Sequence, residues 1–190
     1  MLSPELERFY NEWLQKADHY TDDSIESCYD KFFTLFVVFN RLYAEATFVL
    51  ARRGQISIQG NRPLPDRKGA TEYTLLFIGQ SGFDSMYETE LSHQVSALCS
   101  LIDNEQFYIK LSSPNGDRQR AKDEALLMGL RAKGKTRALA ILDAVYSIRC
   151  NLFHGHKAFQ EVQVALLQPT IRILHALIGA LYRAHHANGD

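Results

Sequence analysis

Cysteine is scarce in this 190-residue chain, which has only Cys28, Cys99 and Cys150. Three widely spaced thiols build no disulfide framework, and such usage fits a reducing cytosol. Proline and glycine are also few, at 5 and 11, which excludes collagen-like and low-complexity chains. Strand patterning is nearly missing. Only Phe107-Tyr108-Ile109-Lys110-Leu111 reads as a strand, and one short strand makes no sheet. Long apolar runs are missing too: Phe32–Phe39 is closed by Asn40-Arg41, and the C-terminal apolar stretch carries Arg172 and His175. Neither reaches the roughly 20 residues of a membrane span. The first eight residues are acidic, with no basic segment leading into an apolar one, so no secretory signal is expected. A cytoplasmic protein with no membrane partner is the expectation.

Net charge is almost absent as well, at −1. That sum conceals a division. Residues 1–109 hold 9 Lys+Arg against 16 Asp+Glu, giving −7, and residues 110–190 hold 12 against 6, giving +6. Two such halves either complement each other in the folded chain or leave a basic surface for an acidic ligand.

What the chain has is helical periodicity. Ile25, Tyr29, Phe32, Phe36, Phe39, Tyr43, Ala46 and Leu50 recur at steps of four and three, one face of a long helix. Phe33, Leu35, Val37 and Val38 widen the stripe until it nearly encircles the helix, so this element belongs at the centre of a bundle. Asp23 or Ser24 can cap its start, and Arg52-Arg53-Gly54 suits its end. Leu167, Ile171, Leu174, Ile178 and Leu181 predict a second long helix that begins or kinks at Pro169. Further helices are predicted near residues 4–18, 83–103, 117–130 and 136–154. The fold expected is therefore all-α, a multi-helix up-and-down bundle forming a single domain over residues 1–190, with an N-terminal helical extension at 1–22. A long loop at 54–70 carries Arg62, Arg67 and Lys68 and reads as a linker or a binding loop.

Gly129-Leu-Arg-Ala-Lys-Gly134-Lys135-Thr136 matches the pattern of a nucleotide-binding phosphate loop. That chemistry needs a buried strand before the loop, whereas Ala121–Met128 is made of helix formers. Leu139–Leu142 cannot supply the partner strand, because it falls inside the helix such a loop should start. A junction between two helices is the expected reading, with Gly134 ending one and Thr136 capping the next.

The most informative stretch is Tyr146-Ser-Ile-Arg149-Cys150-Asn151-Leu152-Phe153-His154-Gly155-His156-Lys157. At about 100° per residue from Leu139, the residues Val145, Leu142, Phe153 and Tyr146 fall between about 240° and 340°, with Arg149 near 280° amid them. An arginine on an apolar face needs an acid, carbonyls or a phosphate to offset its desolvation, and its planar fork suits a phosphate. His154 falls near 60°, in the last turn before Gly155, where the helix dipole favours an imidazolium and general acid or base work. Cys150 and His154 have the spacing of a metal-ligand pair, but a structural zinc needs four ligands and no second pair is spaced alike, so neither metal nor cofactor is expected.

Arg149-Cys-Asn-Leu-Phe-His154, followed by Gly155 and Lys157 at the end of an amphipathic helix, resembles the Arg-x4–6-His signature of HEPN domains (higher eukaryote and prokaryote nucleotide-binding). The spacing alone occurs by chance, and the longer string over residues 136–185, ahead of a final apolar helix, carries the resemblance. Where the family often has a polar residue directly after the arginine, this chain has Cys150, with Asn151 one place later. The resemblance implies an all-α, commonly dimeric bundle and a metal-independent endoribonuclease of toxin–antitoxin or antiviral systems. Arg149 would stabilise the pentavalent phosphate, His154 would move a proton, and Asn151 would orient His154 or hold a phosphate oxygen. His156 and Lys157 would bind RNA. An antitoxin or nucleotidyltransferase partner is also implied. The other reading is a non-catalytic module of the same family that binds RNA, a nucleotide or a partner protein.

Overall fold

A computed structural model describes residues 2–58, 64–112, 115–153 and 160–187. Helices α1 (Pro4–Asp18), α2 (Ile25–Arg52), α3 (Asp66–Lys68), α4 (Thr74–Ile78), α5 (Gln80–Met86), α6 (Ser92–Asp103), α7 (Arg120–Arg131), α8 (Gly134–Phe153) and α9 (Val164–Ala187) make an all-α bundle. Two π-helical turns, Gly69–Tyr73 and Tyr87–Leu91, interrupt it. Phe107–Leu111 is not a strand: among the described residues its only β pairing is a single bridge from Leu111 to Arg118.

Local sequence places the helix ends. Ser3 caps α1, its hydroxyl accepting from the Leu6 N–H, and Pro4 follows where a missing N–H costs nothing. Ser24, rather than Asp23, caps α2 by accepting from the Ser27 N–H. Gly54 follows α2 at φ 68°, the left-handed conformation that ends helices. The final helix starts at Val164, so Pro169 lies within it rather than at its start.

The aromatic stripe of α2 is the centre of the core, with Phe32, Leu35, Phe39 and Leu42 buried against α9 and α1. Both α2 and the helical span Glu161–Ala187 are, by length and composition, long and apolar enough to cross a membrane, at 28 and 27 residues. This corrects the sequence expectation, which took Asn40-Arg41 to close one run and Arg172 and His175 to interrupt the other. Here the two helices pack on each other.

His185 sits in that α2–α9 interface, 4% exposed, with Nε2 donating to the Leu42 carbonyl at 3.1 Å and the ring 4.5 Å from that of Phe77. Burial lowers its pKa below the ordinary 6.5, opposed by the carbonyl contact. The folded state holds the neutral imidazole, so unfolding takes up a proton once the pH is below the unfolded value. Its stability contribution is complete above about pH 6.5 and is lost as the pH falls. Between pH 7 and 5 the wild-type melting temperature is expected to fall further than that of His185→Gln, which keeps an N–H donor for Leu42. Equal falls would remove His185 from the account.

The charge division resolves mainly as self-complementarity. Arg118 and Arg120 meet Glu105, Arg131 meets Asp103, Arg137 meets Glu88, and Arg183 meets Glu90. Each pairs the basic half with the acidic half. These surface pairs contribute little stability individually, but they pair two of the four cations at 131–137, Arg131 and Arg137.

The phosphate-loop pattern is a helix junction. Gly134 has φ 57° at the start of α8, and a Cβ on Gly129 would stand 2.9 Å from the Ala140 Cβ. Gly129 thus permits α7 and α8 to approach, while Thr136 lies in the first turn of α8 rather than at its cap. Gly129→Val is expected to destabilise the fold by about 2 kcal/mol through overpacking, measured by denaturant unfolding. Lys135→Ala should be neutral within ±0.5 kcal/mol.

Candidate functional site

The α8 helix is apolar around most of its circumference, and its buried set settles which side faces inward. Ala138, Ile141, Leu142, Ala144, Val145, Ser147, Ile148, Asn151 and Leu152 are buried. On the same angular scale they span about 80° to 300°. Arg149 therefore lies at the edge of the buried face, not in its middle. Tyr146 and Phe153, counted as core from sequence, belong to the more open side, and Phe153 is 53% exposed.

At that edge Arg149 is only partly compensated. Its side chain is 25% exposed, and an NH1 nitrogen lies 4.0 Å from the Asp66 carboxylate. The guanidinium stands over the rings of Phe153 at 4.4 Å and Phe36 at 5.3 Å. Its Nε is buried without a hydrogen-bond partner among the described residues. Its NH1 also donates to the Cys150 sulfur at 3.9 Å, so among the described residues no carboxylate closes the fork, and the exposed Phe153 ring, packed edge-on against Phe33 at 4.7 Å, forms an aromatic surface beside it.

Asp66 is held from two sides. Tyr43 of α2 donates its hydroxyl to Asp66 Oδ1, and Tyr146 of α8 donates to Oδ2 at 2.9 Å. Burial, reinforced by these bonds to a carboxylate, holds both phenols well above their ordinary value of 10, so both remain donors. Asp66 reaches this position because Gly69 brings α3 down onto α2, where a Cβ would meet the Tyr43 ring at 3.0 Å. The C-terminal part of the predicted 54–70 loop is accordingly a docked helical turn. Arg62 lies outside the described residues.

On the other side of Tyr146 opens a cleft of about 730 Å³ between α7, α8, the α3–π-turn segment and the strip at 109–111. Asn151, buried at 7% exposure, lines this cleft and donates its Nδ2 to the Ile109 carbonyl at 2.9 Å. Asp123 Oδ1 accepts from the N–H groups of Ile109 at 3.0 Å and Lys110 at 2.8 Å. Those bonds fix the strip and aim Lys110 inward. Its Nζ donates to Asp143 and, at 2.8 Å, to the Ser147 hydroxyl. Burial pushes the Lys110 ammonium below its ordinary 10.5, while the bond to Asp143 works the other way. Arg67 also pairs with Asp143.

Of the sequence-selected residues, Arg149 and Asn151 are neighbours on α8 but face apart, Arg149 toward Asp66 and Asn151 toward the strip. His154, His156 and Lys157 lie outside the described residues. Of the cluster at Tyr43, Asp66, Arg67, Lys110, Asp143 and Ser147, only Arg67 was offered by sequence as a binding residue, in the 54–70 loop. One signal for part of it existed: Asp143, Ser147 and Cys150 recur at steps of four and three, a polar stripe on an otherwise apolar helix. No family model, curated protein or solved structure matches this chain.

Proposed function

We propose that the chain is a metal-independent endoribonuclease of the HEPN type, a cytoplasmic toxin or antiviral-defence component that cuts RNA as a homodimer. The observation that carries this reading is Arg149. It stands at the open edge of α8, steadied by Asp66 at 4.0 Å and by two rings, with no bidentate carboxylate among the described residues closing its fork. A guanidinium presented in this way is matched to a phosphate. Phe153 beside it offers a face on which an RNA base can stack.

In this reading the 2′-hydroxyl attacks the adjacent phosphorus, the bond to the 5′-oxygen breaks, and the products are a 2′,3′-cyclic phosphate and a 5′-hydroxyl. Arg149 stabilises the charge that builds on the equatorial oxygens. His154, five residues on in the sequence, takes or gives the proton. A five-residue spacing corresponds to about 140° of helical rotation, so a single copy aligns such a pair poorly. A two-fold pairing of helices brings one copy's arginine toward the other's histidine. His156 and Lys157 add RNA affinity, and a neutralising antitoxin or nucleotidyltransferase is the partner class that fits.

The commitment of the Asn151 amide to Ile109 favours a second reading, a non-catalytic module of the same family that binds RNA, nucleotide or protein. Incubating RNA with the protein in EDTA separates the two. Shortened RNA, lost with His154→Ala in a folded variant, supports the enzyme. RNA that is retained but stays intact supports the module.

A further inference from the structure

The cleft beside Tyr146 plays no part in the chemistry assigned to Arg149, yet it is built as a ligand site. At about 730 Å³ it has the size of a small-molecule pocket. Leu111, Leu126 and Leu139 supply apolar walls. Its polar groups converge: Lys110, only 12% exposed, meets Asp143 and Ser147, while the mostly exposed Arg67 and Lys122 stand at the margin. Burying an ammonium at a helix face is costly, and apolar walls closing on convergent charges describe a recognition site rather than a packing solution.

We propose that this cleft is a nucleotide pocket that takes one guanine-bearing residue of the RNA, base inward and phosphate at the rim. The RNA source rests on the ribonuclease reading, but the recognition belongs to the cleft alone. A flat base with apolar faces and a polar edge suits apolar walls around a polar centre. Each Asp143 oxygen receives one cation and keeps a lone pair. That leaves a carboxylate able to accept in parallel from guanine N1–H and N2–H. Lys110, with Ser147 beside it, donates to O6. Adenine and cytosine present a ring acceptor where guanine presents N1–H, so the carboxylate gains one bond instead of two. Arg67 and Lys122 supply the phosphate contacts. Asp143 and Arg149 are six residues apart on α8, about 9 Å of axial rise. They also stand about 120° apart around the helix, so the RNA strand that seats a nucleotide in the cleft passes round Tyr146 to bring a phosphate to Arg149, which makes the cleft the element that selects the cut site.

The test is titration of the full chain with GMP, AMP, UMP, CMP and ribose 5-phosphate at matched ionic strength, read by calorimetry or by chemical-shift changes. GMP is expected to bind about tenfold tighter than the other three nucleotides, and Asp143→Asn to erase that preference. Ser147→Ala, a milder change, should weaken GMP binding while circular dichroism stays unchanged, which covers the case in which Asp143→Asn fails to fold. Equal binding of all four nucleotides and ribose 5-phosphate overturns the proposal, since only phosphate would then be recognised. UMP binding as tightly as GMP overturns the guanine assignment, and so does the absence of any binding. RNA cleavage without a GMP preference removes the pocket and leaves the ribonuclease. GMP preference with RNA left intact does the reverse.

Discussion

Arg149→Ala is expected to lower the rate of RNA cleavage about 10³-fold in EDTA, with little change in fold. The magnitude is that of removing a preorganised charge aimed at the transition state. Arg149 contributes modestly to stability, because its partners are two ring faces, the Cys150 sulfur at 3.9 Å and one half-exposed carboxylate at 4.0 Å. A loss of about 1 kcal/mol or less covers those contacts. Activity and stability should therefore separate clearly. Arg149→Lys keeps the charge but not the fork, and its rate should fall by roughly 10-fold or more, because a point charge cannot span two phosphate oxygens. Asp66→Asn is informative in a different way. Asp66 touches Arg149 rather than substrate, so this change should lower kcat while leaving RNA affinity nearly unchanged, the pattern of a positioning residue. Rates on a defined RNA, with circular dichroism of each variant, check the series. An Arg149→Ala variant that cuts at the wild-type rate would end the assignment.

Asp123→Ala carries the largest expected loss of stability, about 3 kcal/mol or more. Asp123 is 1% exposed, and one carboxylate oxygen accepts both the Ile109 and Lys110 N–H groups. Truncation leaves the buried Ile109 N–H and the part-buried Lys110 N–H without a partner, and removes an anion from the neighbourhood of the partly buried Lys110. Nearby Asn151 would lose the fixed position of its acceptor, the Ile109 carbonyl. The cleft wall should loosen along with the fold. Chemical denaturation gives the stability, and proteolysis near residues 106–119 reports the loosened strip. A stability loss under 1 kcal/mol would show that the strip does not depend on Asp123.

The long-range partners of the site were the part that sequence did not reveal. Helical periodicity located α2 at its first residue, Ile25, and the 4–18 segment was legible as α1, because helix-end preferences and amphipathic spacing are local properties. Arg149 was recognisable for the same reason, as a charge interrupting an apolar repeat. Its exact setting was misjudged because α8 is apolar on nearly all sides, so counting Tyr146 and Phe153 as core rotated the inferred face. Asp66 meets Tyr146 across 80 residues of sequence and Lys110 meets Asp143 across 33. No periodicity encodes such pairings. The charge division could not be resolved from sequence for a related reason: Arg131 and Asp103 cancel across space, while a count along the chain keeps them apart.

The most direct measurement is the chemistry of the RNA ends left after incubation with the purified wild-type chain in EDTA. Attack by the 2′-hydroxyl, assisted by Arg149 and His154, predicts 2′,3′-cyclic phosphates on one fragment and 5′-hydroxyls on the other, neither formed by His154→Ala. Fragments ending in 3′-hydroxyl and 5′-phosphate, or RNA left whole in EDTA and cut only when a divalent metal is added, would contradict it.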